Sequence, residues 1–118
     1  MTQTELKQLI SQGETSSVQL KERITDAYKV GTELVAFSNT KGGLLIICVD
    51  DKTGNIKGLS FEELQYTNNL LANAASENIK PTILLLTETV PTNEGNVMIV
   101  RIKEGADKPT KITKELSG

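Results

Sequence analysis

Two carboxylates, an amide and a lysine occupy positions that a sheet could bring together: Glu14, Gln19, Lys21 and Asp50. Glu14 precedes a segment, 16–21, in which apolar and polar residues alternate. Val18 and Leu20 point one way there, and Gln19 and Lys21 the other. Asp50 follows the apolar run 44–49. Polar groups converge at strand ends of an α/β sheet without being buried. Carboxylate oxygens are the ligands a hard divalent cation such as Mg²⁺ or Mn²⁺ takes, and a nearby lysine would present a phosphate to it. The same residues also suit a plainer role, in which Glu14 caps a turn and Asp50 and Asp51 open a hairpin.

A second group is cationic. Lys21, Arg23, Lys29 and Lys41 surround the same region, and Arg101 lies in the last apolar segment. They read either as a solvated surface or as a patch that follows phosphates. As a patch, the contacts are expected from Lys21, Arg23, Lys41 and Arg101. The net charge of −2 gives no global attraction to nucleic acid, so a local patch would have to supply it. The stretch Asn39–Gly43, "NTKGG", superficially suggests a phosphate loop. Its glycines follow a helical segment and precede a strand, the reverse of the order that cradles a nucleotide, so ATP is not expected.

Other chemistry is excluded by composition. The chain has no His, which removes His-based triads and His-ligated zinc. Its one Cys, Cys48, sits inside an apolar strand and reads as a buried, unreactive thiol. With two Phe, two Tyr and no Trp, the core must be aliphatic, and no base-stacking platform stands out. The N-terminus has no basic stretch leading into an apolar one, and no run is long enough to span a bilayer. A cytoplasmic protein with no membrane contact is the expectation.

The elements that would position these groups follow from local pattern. Thr2 and Glu5 make a capping box for a first helix with Leu6, Leu9 and Ile10 on its apolar side. Thr25 or Asp26 opens a second, with Ala27, Val30, Leu34 and Phe37 at helical spacing. Asn39 is expected to take the left-handed conformation after it. Residues 44–49 read as a central strand covered on both faces, with Ile56 on a short return strand. Ser60 and Glu63 cap a third helix running to about Asn78, with Phe61, Leu64, Leu71 and Ala75 as its buried stripe. Pro81 separates it from strands at 82–90 and 97–102, joined by a turn at 91–96. The result is an α/β (α+β) fold, a mixed sheet of about five strands with three helices packed on it. Residues 1–103 form the domain. Residues 104–118 lose periodicity and read as an irregular tail, as if the sequence were part of a longer protein.

Two stretches together, 13–22 ("GETSSVQLKE") and 33–58 ("ELVAFSNTKGGLLIICVDDKTGNIKG"), resemble the Schlafen-type Alba-like domain, once labelled a divergent AAA domain. That domain occurs in bacterial proteins regarded as transcriptional regulators, in RecG-helicase-related proteins and in animal Schlafens. Ala36, Phe37, Asn39, Thr40, Gly42, Gly43, Val49, Asp50, Asp51 and Gly58 fit its pattern in order and spacing, and the likeness extends over about residues 5–103. Cys48 stands where the family usually has Gly. The resemblance implies nucleic-acid binding, DNA or RNA, by a regulator's binding module; the older label implies, as an alternative, an ATP-binding domain of a RecG-related helicase-like protein. A separate reading, independent of the resemblance, is a self-associating module whose sheet edge or apolar patch mediates a homodimer. In animal Schlafens the resemblance also implies a metal-dependent endoribonuclease built on three carboxylates. Their positions map onto Glu14, Gln19 and Asp50, so Glu14 and Asp50 are the catalytic and metal-ligand candidates. The amide at Gln19 removes one of three negative charges, which favours binding over cleavage.

Overall fold

The computed structural model describes residues 1–77, 79–80, 83–105, 109 and 111–112. In chain order it contains α1 (Gln3–Ser11), β1 (Val18–Lys21), α2 (Ala27–Ser38), β2 (Gly43–Ile47), α3 (Phe61–Glu77), β3 (Ile79–Lys80), β4 (Leu85–Thr92), β5 (Gly95–Ile102) and β6 (Lys111–Ile112). One sheet has the order β1-β2-β5-β4, and β3 and β6 form a separate ribbon. β1 runs parallel to β2 through the α2 crossover, and the other pairings in the sheet are antiparallel. The mixed sheet with three helices is the expected fold, with its strands divided four and two.

The aliphatic pattern explains the layering. In β2, Leu45 and Ile47 face a core built with Val30, Leu34 and Phe37 of α2 and Leu71 and Ala74 of α3. Ile46 faces the other way, into a cluster with Leu6 and Ile10 of α1, Leu20 of β1 and Ile99 of β5. An all-apolar strand is what a position covered on both faces requires. The helices begin where their capping residues sit. Thr2 and Glu5 bond reciprocally, Asp26 accepts from the Tyr28 and Lys29 N–H groups, and Ser60 pairs with Glu63.

Four expectations need correction. Phe61 is 71 % exposed rather than buried, because it is the first residue of α3 and a helical side chain leans back past its own N-terminus. The turn expected at 91–96 shrinks to Asn93 and Glu94, since Pro91 and Thr92 still pair with Asn96 and Gly95. Lys111–Ile112, expected to be irregular, pairs with Ile79–Lys80, a match too short to leave a periodic trace. Pro81, read as the breaker after α3, and the tail from 113 lie outside the described residues.

The fourth concerns the ends of β2. Asn39 ends α2 in ordinary helical geometry, φ −81°, and Gly42 supplies the left-handed residue at φ +82°. A Cβ on Gly42 would lie 2.3 Å from the Ile102 carbonyl oxygen, so the turn fits against the end of β5 only without a side chain. At the other end β2 stops at Ile47, not Val49. The Cys48 and Val49 N–H groups both donate to the Lys21 carbonyl, at 2.6 and 3.0 Å, so two residues oppose one in a bulge. Cys48 takes φ +93° there, fully buried. That conformation is why glycine suits the position. At an ordinary strand site Gly is about 0.5–1 kcal/mol less stable than Ala. Here the left-handed strain of a side chain, about 1–2 kcal/mol, opposes that preference. Thermal melts should therefore place Cys48→Gly level with or above Cys48→Ala, and a Gly variant clearly below Ala would show that the site carries no strain.

Candidate functional site

The three positions of the carboxylate constellation have backbone duties or neutral chemistry. Glu14 is exposed, and its Oε2 accepts from the Leu20 N–H at 2.9 Å. Leu20 and Val18 point their backbone groups away from β2. Glu14 and Thr15, whose N–H donates to the Val18 carbonyl at 2.9 Å, thus close the outer edge of β1. Asp50 is half-buried and accepts from the Lys52 and Thr53 N–H groups at 2.8 and 3.1 Å, which folds the turn after β2. Those two N–H groups hold its carboxyl below the usual aspartate range. Gln19 alternates with Val18 and Leu20, so it faces the α2 side of the sheet, away from α1. Residues flanking the two acids, Gly13 and Asp51, do line one cavity of about 600 Å³ beneath α1. Among the described residues, no three His, Cys, Asp or Glu side chains are grouped to hold a metal ion. One oxygen of each acid is bonded to backbone N–H groups, and Gln19 faces away from the cavity that their neighbours line, so the three positions do not converge on one point in this structure.

The basic residues separate to opposite ends of the sheet. Lys21 ends β1 and its Nζ lies 2.7 Å from Glu33 of α2. Arg23 is paired with Glu63 of α3. Both line a small cavity of about 110 Å³ together with Lys29 and Asp26. Their charges are therefore matched by carboxylates. In that cavity the Glu33 Oε2 is buried without a hydrogen-bond partner.

At the far end, Lys41 and Arg101 come together as expected, and Lys103 joins them. All three are exposed and line a shallow cavity of about 610 Å³ with Ser17, Gly42 and Glu104. Among the described residues none of the three lies within ion-pair distance of a carboxylate. The Gly42 turn places Lys41 beside β5, and pairing of Leu44 with Arg101 fixes the arginine opposite. Lys103 is the residue that sequence reading passed over. Its signal was parity: it follows Arg101 by two residues, as in a strand that continues.

The chain belongs to the Schlafen AlbA_2 family, whose model matches residues 14–117. Its fold is similar to the N-terminal domain of a RecG-related protein of Nitrosomonas europaea, provisionally named an ATP-dependent DNA helicase. That match has 22 % identity and a TM-score of 0.67, and it covers 100 % of this chain and 83 % of the other. It is also similar to the DIP2311 protein of Corynebacterium diphtheriae, with 20 % identity and a TM-score of 0.59. There the match covers 93 % of this chain but 26 % of the larger protein. No curated protein matches the sequence. Among the described residues, no helix is long and apolar enough to cross a membrane.

Two outcomes follow from the duties of the acids. Glu14→Ala strips the partner from the Leu20 N–H and should cost about 1 kcal/mol in urea unfolding, whereas Glu14→Gln, which keeps an acceptor oxygen, should cost less than half of that. In an NMR pH titration the Asp50 carboxyl should titrate below an ordinary aspartate. The stability this adds is present above the unfolded-state pKa and is lost as pH falls through the folded one.

Proposed function

We propose that this domain binds nucleic acid through its phosphates at the surface formed by Lys41, Arg101 and Lys103. One observation supports this above the others: three cations with no carboxylate partner among the described residues share one open concavity, in a chain whose net charge is −2. Cations left unpaired and grouped are free to replace the counterions of a phosphate backbone. Lys21 and Arg23 are already neutralised by Glu33 and Glu63, so they contribute little. The concavity offers no aromatic face, so contact runs to the backbone and depends weakly on base sequence. Membership of the Schlafen AlbA_2 family and the fold shared with a domain of a protein named for DNA unwinding are in keeping with this reading. The role is that of a cytoplasmic binding module within a regulator, without a metal or nucleotide in the contact.

Fluorescence anisotropy with labelled DNA and RNA oligonucleotides tests it. Three phosphate contacts give a slope of log affinity on log salt of about −2 to −3, so affinity should fall roughly 20- to 40-fold between 50 and 200 mM salt. Lys41→Ala or Arg101→Ala should each lower the slope by about 1, while Lys21→Ala leaves it unchanged. Absence of binding to either polymer at 50 mM salt would sink the proposal.

A further inference from the structure

On the α1 face of the main sheet, residues line up in rows across the strands, and the cover changes between two of these rows. In one, Leu20 of β1, Ile46 of β2 and Ile99 of β5 stand side by side, with Glu88 of β4 at the end. The three apolar residues are buried in one cluster with Leu6 and Ile10 of α1, and the N-terminal ammonium pairs with Glu88. The neighbouring row, two residues along each strand, is Val18, Leu44, Arg101 and Leu86 in the same register. Alternation keeps it on the same face. There the cover thins. Val18 is still buried and Leu44 half-buried, but Arg101 is exposed and Leu86 is 45 % exposed.

Arg101 thus stands between two leucines, Leu44 and Leu86, each one strand spacing or about 4.8 Å away. Val18, Leu44 and Arg101 also line the concavity that holds Lys41 and Lys103. The surface therefore has two chemically different parts. Lys41 and Lys103 are compact point charges, suited to phosphate. The Arg101 guanidinium is flat and more weakly hydrated than an ammonium, and a heterocyclic ring can lie on its plane. Apolar side chains on both shoulders extend that plane into a platform, in place of an aromatic side chain. A ligand that satisfies both parts carries phosphates and open ring faces close together. A duplex offers phosphates but keeps its base faces stacked inside, and an acidic polypeptide offers charge without a ring on each unit.

We infer that this surface takes single-stranded nucleic acid, with a base lying on the Arg101 guanidinium between Leu44 and Leu86 and adjoining phosphates held by Lys41 and Lys103. The inference rests on the nucleic-acid reading above and names the form of polymer it selects. Every base has such a face, so the contact adds affinity with little sequence preference. Charge by itself pulls the other way. Each neutralised phosphate of a duplex contributes about −0.9 to the salt slope, against about −0.7 for a single strand, because the duplex holds more counterions to release. A preference for the single strand is therefore the signature of base contact and not of phosphate contact.

Anisotropy at low salt with probes of equal length separates the two contacts. A single strand should bind about tenfold more tightly than the duplex of the same sequence. A strand of abasic sites, which keeps every phosphate, should lose that gain. Arg101→Lys keeps the charge and removes the plane, so it should weaken single-strand binding about fivefold, with the salt slope and the duplex affinity unchanged. Leu86→Ser should act in the same direction and keep a cooperative melt, since Leu86 is largely exposed. Equal affinity for single strand and duplex, undiminished binding of the abasic strand, or a wild-type Arg101→Lys would each overturn this inference and leave the phosphate reading standing. Polyglutamate binding as tightly as the single strand would overturn it as well, by showing that rings are not needed. Absence of binding to every nucleic-acid probe would overturn both.

Discussion

Backbone closeness at the two ends of β2 is the constraint on which the structure turns. At its start, the glycine turn lies against the end of β5 with no room for one additional carbon beside the Ile102 carbonyl. At its finish, a single carbonyl of Lys21 accepts two successive N–H groups, and Cys48 adopts a conformation L-residues avoid. Between these points β2 is apolar on both faces and is buried by helices on both sides. The first contact delivers Lys41 to β5; the second redirects the chain into the Asp50 turn. Both positions of chemical interest in the sequence are thus set by main-chain geometry rather than by side-chain packing.

Charge is distributed by the same geometry. At the C-terminal end of β1, helices α2 and α3 bring Glu33 and Glu63 within reach of Lys21 and Arg23. At the opposite end, no described residue of the three helices supplies such a partner, and the cations of the glycine turn and of β5 face solvent. Exposed ion pairs stabilise a fold only slightly, so the functional difference between the two ends lies in which cations remain available to an outside anion. The two sheet edges show a parallel contrast. Glu14, a candidate metal ligand by position, closes one edge, and among the described residues the other has no equivalent.

Much of the local structure is legible in the sequence. The caps at Thr2 and Ser60 and the doubly buried run through Ile46 depend on neighbours within four residues or on simple alternation, and each stands as read; of Thr25 and Asp26, both open as the cap of α2, the structure takes Asp26. Phe61 misled because helical spacing says which face a residue shares but not whether the neighbouring layer extends that far. Lys103 was missed because the strand's end hides its parity, and the β3–β6 ribbon because two residues form no period.

Element types, the aliphatic core, the absence of His chemistry and the family resemblance are carried by composition and short-range pattern. Which cations are neutralised, why a glycine-like conformation falls at Cys48, and which sheet edge lacks a partner among the described residues emerge from the folded chain alone. These depend on pairs far apart in the chain, such as Arg23 with Glu63 or Gly42 with Ile102. A side chain's charge is written locally, but the dielectric and the counter-charge around it are set by whatever the fold brings alongside.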